Sequence, residues 1–103
     1  MKERSLEEMM WELISLYPGH HWELSMRREL DGGHGDPVFC IYAGLGDYDY
    51  ESEEFIPVYI NSKGDKCDEN DPDAFELAYW SLDWTYYDLV KGIYDEVMKR
   101  RKE

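Results

Sequence analysis

The sequence predicts an α+β domain in the order α-β-β-β-α, with a three-stranded antiparallel sheet packed against helices and the last helix either continuous or split. Three observations predict it. Apolar residues recur every 3.6 positions near the N-terminus, every second position in the middle, and every 3.6 positions again toward the C-terminus. The middle segments are joined by connections short enough to make them antiparallel neighbours. A chain of 103 residues with 43% hydrophobic content supports one core, so residues 1–103 read as a single domain.

The first helix opens on Ser5-Leu6-Glu7-Glu8, a capping box in which Ser5 and Glu8 satisfy each other's free amide groups. Leu6, Met9, Met10, Leu13, Ile14 and Tyr17 follow at helical spacing, and Pro18-Gly19 stops the helix. From His21 the period is two: Trp22, Leu24 and Met26 alternate with Glu23, Ser25 and Arg27, which describes a strand with one buried face. Asp31 to Pro37, with its three Gly, reads as a flexible turn. Val38 to Ala43 is apolar enough for a strand in the middle of a sheet. Phe55 to Ile60 is the third strand, where Pro57 marks an edge or a bulge because it donates no ladder hydrogen bond. Asn61-Ser62-Lys63-Gly64 turns the chain toward a short extension through Lys66-Cys67.

The stretch from Cys67 to Val97 organises the remainder. Asp71-Pro72 reads as a helix start, with Asp capping and Pro preorganised at the first helical position. Phe75, Tyr79, Leu82, Tyr86, Leu89, Val90, Ile93 and Val97 form one apolar stripe; Leu77, Trp80, Trp84 and Tyr87, bordered by Glu76, Asp83 and Asp88, form a second. Two readings compete for the second stripe. In one, the helix breaks near Ser81–Asp83, Asp83 caps a second helix, and both sets turn into one core. In the other, the stripe is an exposed aromatic strip edged with carboxylates, as at a docking surface. Lys99, Arg100, Arg101 and Lys102 then place cations where a helix dipole favours them.

Charge narrows the function. The net charge is −13, and the whole excess lies between Asp36 and Met98, where 16 acids face only Lys63, Lys66 and Lys91. Such a surface repels nucleic acid and anionic membranes and attracts basic proteins. No apolar run approaches the roughly 20 residues that span a bilayer. The segment MKERSLEEMMWELI is too acidic and interrupted for a signal peptide, and Cys40 and Cys67 read as thiols of a reducing cytoplasm.

Enzyme signatures are mostly absent. Gly44-x-Gly46 lacks the rest of a dinucleotide fingerprint and leads into acids that would repel a pyrophosphate. Asp47-x-Asp49-x-Glu51-x-Glu53 has the odd-position spacing of a calcium loop, but Ser52 stands in place of the turn Gly and Val58 in place of the final Glu. His20, His21 and His34 with Cys40 match no closed zinc spacing, and a mid-strand Cys40 reads as a small buried hydrophobe rather than a nucleophile. The expectation is a protein without catalysis, metal or cofactor.

What remains is the acidic surface. Asp47, Asp49, Glu51, Glu53 and Glu54 are read as one half of a contact, and Asp68, Glu69, Asp71, Asp73 and Glu76 as the other. Tyr48, Tyr50, Trp80, Trp84 and Tyr87 are its apolar anchors. In size, charge and element order the chain resembles the small phage-encoded anti-CRISPR proteins and other phage DNA mimics that block restriction enzymes. The resemblance rests on no motif and transfers no individual residue. It implies an inhibitor, acting in a host cytoplasm, that docks on the DNA-reading surface of a CRISPR effector nuclease or restriction enzyme. An immunity or antitoxin protein neutralising a basic toxin nuclease has the same electrostatics. A self-associating adaptor using Trp80, Trp84 and Tyr87 is a third reading, and acidity that serves only solubility is the plainest one.

Overall fold

The structure, a computed structural model, describes residues 4–30 and 37–102. The turn expected from Asp31 and the His34 considered for zinc lie outside the described residues. Eight elements follow in order: α1 (Leu6–Leu16), β1 (His21–Leu30), β2 (Pro37–Asp49), β3 (Glu54–Pro57), β4 (Tyr59–Ile60), β5 (Phe75–Glu76), β6 (Ala78–Ser81) and α2 (Tyr86–Arg101). The fold is α+β, with helices packed on an antiparallel sheet. No helix among the described residues is long and apolar enough to cross a membrane.

Strand β2 is central, as its apolar run predicts. One of its edges pairs with β1, in a register running from His21 opposite Gly46 to Leu30 opposite Pro37. Its other edge is shared. Ile41–Gly44 pair with β6 and Gly46–Asp49 with β3. Between them, Leu45 donates its N–H to the Leu77 carbonyl at 2.9 Å, Leu77 donates to Val58 at 2.8 Å, and Val58 donates back to Leu45 at 2.8 Å. These three residues therefore close a ring of backbone hydrogen bonds. Past it, β4 and β5 pair with each other, so three strands exchange partners at one point.

Residues 75–81 depart from the helix that the sequence predicts. They are not the first half of a long helix; they are β5 and β6, and the main sheet has four strands rather than three. Phe75, Tyr79 and Leu82 fit a helical period, but the same segment also alternates, with Phe75, Leu77 and Tyr79 inward and Glu76 and Trp80 outward. The second edge of β2 decides between the two, because Ile41 and Ala43 are buried and their backbone groups need a ladder partner. Asp71 consequently begins no helix, and Asp83 caps none. The N-cap of α2 is Thr85, whose hydroxyl accepts from the Asp88 N–H at 3.2 Å while Asp88 accepts from the Thr85 N–H at 3.3 Å. Serine 81 makes the corner before it, accepting at Oγ from the N–H groups of Asp83 and Trp84, both at 3.1 Å.

Both helices cover one face of the sheet. Met9 of α1 and Leu89 and Val90 of α2 bury against Ile41 and Ala43, while Leu13, Tyr17, Ile93 and Val97 bury against the ring residues Leu45, Val58 and Leu77. Helix α1 has the capping box that its sequence predicts, with Glu8 N–H to Ser5 Oγ at 3.1 Å and Ser5 N–H to Glu8 Oε1 at 2.9 Å. Two glycines allow close approach. A Cβ on Gly92 would enter the Tyr79 ring, so its absence lets α2 lie directly on the sheet. A Cβ on Gly46 would meet the Ile56 carbonyl and lie 2.7 Å from the Pro57 Cα, both backbone.

Because backbone cannot rotate out of the way, Gly46→Ala is expected to lower stability by roughly 2–3 kcal/mol, near the upper end for overpacking. Urea denaturation checks this; an unchanged midpoint would show that β2 and β3 are less closely apposed than described.

Candidate functional site

The two acidic segments meet at the end of the sheet beyond the hydrogen-bonded ring. Asp47, Tyr48 and Asp49 finish β2, residues 50–53 turn, and Glu54 begins β3. Asp68, Glu69, Asp71 and Asp73 lie in the loop before β5, and Glu76 sits in β5 opposite Tyr59. Between the segments runs an open groove of about 360 Å³. Asp47 lies on one side, Asp68 and Glu69 lie on the other, and Ile56, Pro57, Val58 and Tyr59 form its apolar lining. The structure thus brings Asp47 together with Asp68 and Glu69. It leaves Glu51 and Glu53 at the hairpin turn, and Asp49, Glu54, Asp71, Asp73 and Glu76 are likewise outside the groove lining.

Several of these carboxylates build the loops that carry them. Asp49 accepts from the Glu51 N–H at 2.9 Å, Asp68 from the Asn70 N–H at 2.9 Å, and Asp71 from the Asp73 N–H at 2.9 Å. These are Asx turns, in which a short acid side chain stands in for a backbone acceptor. The loops are therefore held in shape by the same groups that give them charge. The N–H groups of Glu51 and Ser52 hold the Asp49 carboxyl below its ordinary range. Glu53 is the one described residue other than Gly with positive φ, at 57°. Glycine or asparagine would take that conformation at lower cost, so a charge is kept there against local preference.

The far side of the groove is fastened by α2. Arg100 donates to the Asn61 carbonyl at 3.0 Å, and the Gly64 carbonyl accepts from Arg101 at 3.3 Å and from the Tyr17 hydroxyl at 2.6 Å. The basic tail does more than complement the helix dipole, because it clamps the 61–64 turn from which the acidic loop departs. Asn61 holds that turn from within, accepting from Lys63 and Asp65 N–H groups at 2.9 and 3.1 Å.

His20, which matches no zinc spacing in the sequence, is the polar centre of the groove. Its Nδ1 lies 3.0 Å from an Asp47 oxygen, and its Nε2 lies 2.9 Å from Lys66 Nζ. An ammonium can only donate, so Nε2 accepts and the Nδ1 proton points to Asp47. Both ring nitrogens are engaged. Lys66, one of the three cations in the acidic region of the sequence, thus links the loop through His20 to the strand that carries Asp47.

Two neutral acids report the potential there. The Tyr59 hydroxyl is pushed up by burial and then by Glu76 and Glu69; the Cys67 thiol is pushed up by burial and then by Asp71, Asp68 and Asp73. A thiol raised in this way is a weak nucleophile at neutral pH. Cys40 and Cys67 are both free thiols. Among the described residues, no three His, Cys, Asp or Glu side chains converge as a metal site.

The aromatic strip is not assembled. Leu77 is fully buried in the ring, and Tyr87 packs into the helix layer with its hydroxyl donating to the Arg4 carbonyl at 3.3 Å. Trp80 lies opposite Tyr42 on the sheet face away from the helices, 66% exposed. Trp84 is exposed in the link before α2. Tyr48 and Tyr50 do stand together, ring centres 4.9 Å apart at the acidic hairpin. The helix-free face carries aromatic residues that periodicity alone did not single out. Phe55 contacts Tyr42 and His21 edge-on, and burial followed by Glu76 and Glu23 pushes the Tyr42 hydroxyl up to about 12.

A comparison of the chain with protein-family models, with curated proteins and with solved structures finds no match in any of the three.

Two outcomes follow from the loop geometry. Glu53→Asn relieves the left-handed backbone and should raise stability by roughly 0.5–1 kcal/mol in urea denaturation; a loss of stability would contradict the strain. The Asp49 carboxylate has a lowered folded pKa, so its contribution is present above its unfolded value and is lost as pH falls through the folded one. Thermal melts should therefore show Asp49→Asn, which keeps the acceptor but not the titration, losing less stability than the native chain below about pH 4. Parallel curves for the two proteins would contradict that assignment.

Proposed function

We propose that this protein is a non-catalytic inhibitor that uses its acidic end to occupy the nucleic-acid-binding cleft of a basic enzyme. A CRISPR effector nuclease or a restriction endonuclease is the partner its charge fits, and the bacterial cytoplasm is where it would act. The observation that carries the reading is the groove itself: Asp47 of β2 and Asp68 and Glu69 of a separate loop line one apolar floor, and Asp68 stiffens the loop that carries it, as Asp49 and Asp71 do beside the groove. Duplex DNA presents a charge about every 1.7 Å of axis, and a cleft shaped to it accepts a stiff array of carboxylates. Ordering costs are low when the array is preformed.

Local chemistry supports the same reading. Glu53 keeps a charge where asparagine would be more stable, which is the pattern of function held against stability. Tyr48 and the 85% exposed Tyr50 add apolar contact beside the carboxylates, as hot spots do. Three acids of the helices are disposed differently: Glu12 pairs with Arg4, Asp95 with Lys91 and Glu96 with Arg100. An immunity protein for a basic toxin nuclease would use the same surface, and the identity of the inhibited nuclease separates the two.

The test is inhibition of DNA cleavage by a panel of purified CRISPR nucleases, restriction endonucleases and nuclease toxins, with association rates measured against salt. Replacing Asp47, Asp49, Glu51, Glu53 and Glu54 by Asn or Gln should slow association roughly tenfold or more at low salt and flatten the salt dependence. An unchanged rate and affinity in the inhibited pair would refute the proposal.

A further inference from the structure

We infer that two copies of this chain pair through the outer edge of β1, antiparallel about a two-fold axis at Ser25. Leu45 gives both its N–H and its carbonyl to the ring, on the side of β2 away from β1. Odd residues of β2 therefore point away from β1 and even residues toward it. Through the register, His21, Glu23, Ser25 and Arg27 bond inward to β2, whereas Trp22, Leu24, Met26 and Arg28 direct their N–H and carbonyl groups to the outer edge. No described strand pairs with that edge. A ten-residue strand with an open edge is a template for another strand.

The side chains specify what that other strand is. Placed antiparallel against itself about Ser25, β1 sets Leu24 opposite Met26 of the second copy and Trp22 opposite its Arg28, all outward-bonding positions. On the other face, Glu23 comes opposite Arg27 of the second copy, and symmetry repeats the pair. Moving the axis to Glu23 sets Glu23 against Glu23, and moving it to Arg27 sets Arg27 against Arg27. Centring on Leu24 or Met26 leaves Glu23 or Arg27 opposite Ser25. Of these registers, only the one about Ser25 meets every Glu23 with an Arg27, and opposite charges directly across a ladder are favourable while like charges are not.

Helix α1 presents an apolar surface above the same edge. Tyr94 of α2 donates to Glu12 at 2.7 Å, which fixes α2 on the Glu12 side of α1. At about 100° per residue, Ile14 stands on the opposite side, with Trp11 next to it. Leu6, Met10, Trp11 and Ile14, together with Glu7, line a groove there, with Trp11 63% exposed. Leu24 and Met26 lie on the helix-bearing face of β1 with Trp22, and Met26 is 59% exposed. Pairing through β1 extends this surface across the two-fold axis and leaves the acidic groove open at the far ends.

Sedimentation velocity of the full chain over a wide concentration range tests the pairing, with circular dichroism to confirm folding. A dimer is expected for the native chain. Glu23→Arg alone and Arg27→Glu alone should each raise its dissociation constant roughly tenfold or more, because each acts at two symmetry-related pairs. The double variant E23R/R27E should restore it. Amide exchange at Leu24 and Met26 should slow as concentration rises. A native chain that stays monomeric, or a dimer indifferent to both single reversals, overturns the inference.

Discussion

The ring of hydrogen bonds among Leu45, Val58 and Leu77 is the constraint on which the architecture turns. Each of the three strands passing through it leaves one partner and takes another, and each ring residue is both donor and acceptor. Because all three are buried, a ring left open would leave polar groups without water, at a cost of order 1–3 kcal/mol each. The packing of α1 and α2 against these side chains makes the ring a point where secondary and tertiary structure are fixed together. Its geometry also sends the β2–β3 hairpin and the β4–β5 pair outward on either side of one groove.

That divergence places acid against acid. The carboxylates repel one another, and what opposes the repulsion is local: Asx turns at Asp49, Asp68 and Asp71, the Lys66–His20–Asp47 link, and the arginine clamp on Asn61 and Gly64. Lys66, Arg100 and Arg101 lie where they restrain the scaffold under the groove. On the proposed reading, a protein holding its excess charge in this way would gain electrostatic energy from a basic partner rather than spend binding energy on ordering loops.

The sequence made some of this legible. The capping residues at Ser5, the strand signalled by the period-two run at Trp22–Met26, the central position of β2 and the edge placement of Pro57 rest on short-range signals and hold. The buried face expected of that run does not, because Leu24 and Met26 are exposed. Residues 75–81 are not readable from sequence because Phe75 and Tyr79 satisfy two periods at once, a helical one with Leu82 and an alternating one with Leu77. The deciding influence is the vacant edge of Ile41–Gly44, more than thirty residues away in the chain. Misreading that strand as helix is what placed Trp80, Trp84 and Tyr87 on one stripe. The acidic segments were visible as composition; that Asp47 would face Asp68 and Glu69 across a groove, with His20 and Lys66 between, depends on the ring and has no local signature.

The central claim is that the acidic end stands in for DNA, and mutual exclusion tests it most directly. A nuclease that the protein inhibits is held in complex with it while duplex DNA carrying that enzyme's site is titrated in, and species are followed by mass. The account predicts that the protein leaves as DNA binds, with no species containing all three components. A stable ternary complex of nuclease, DNA and this protein would contradict it.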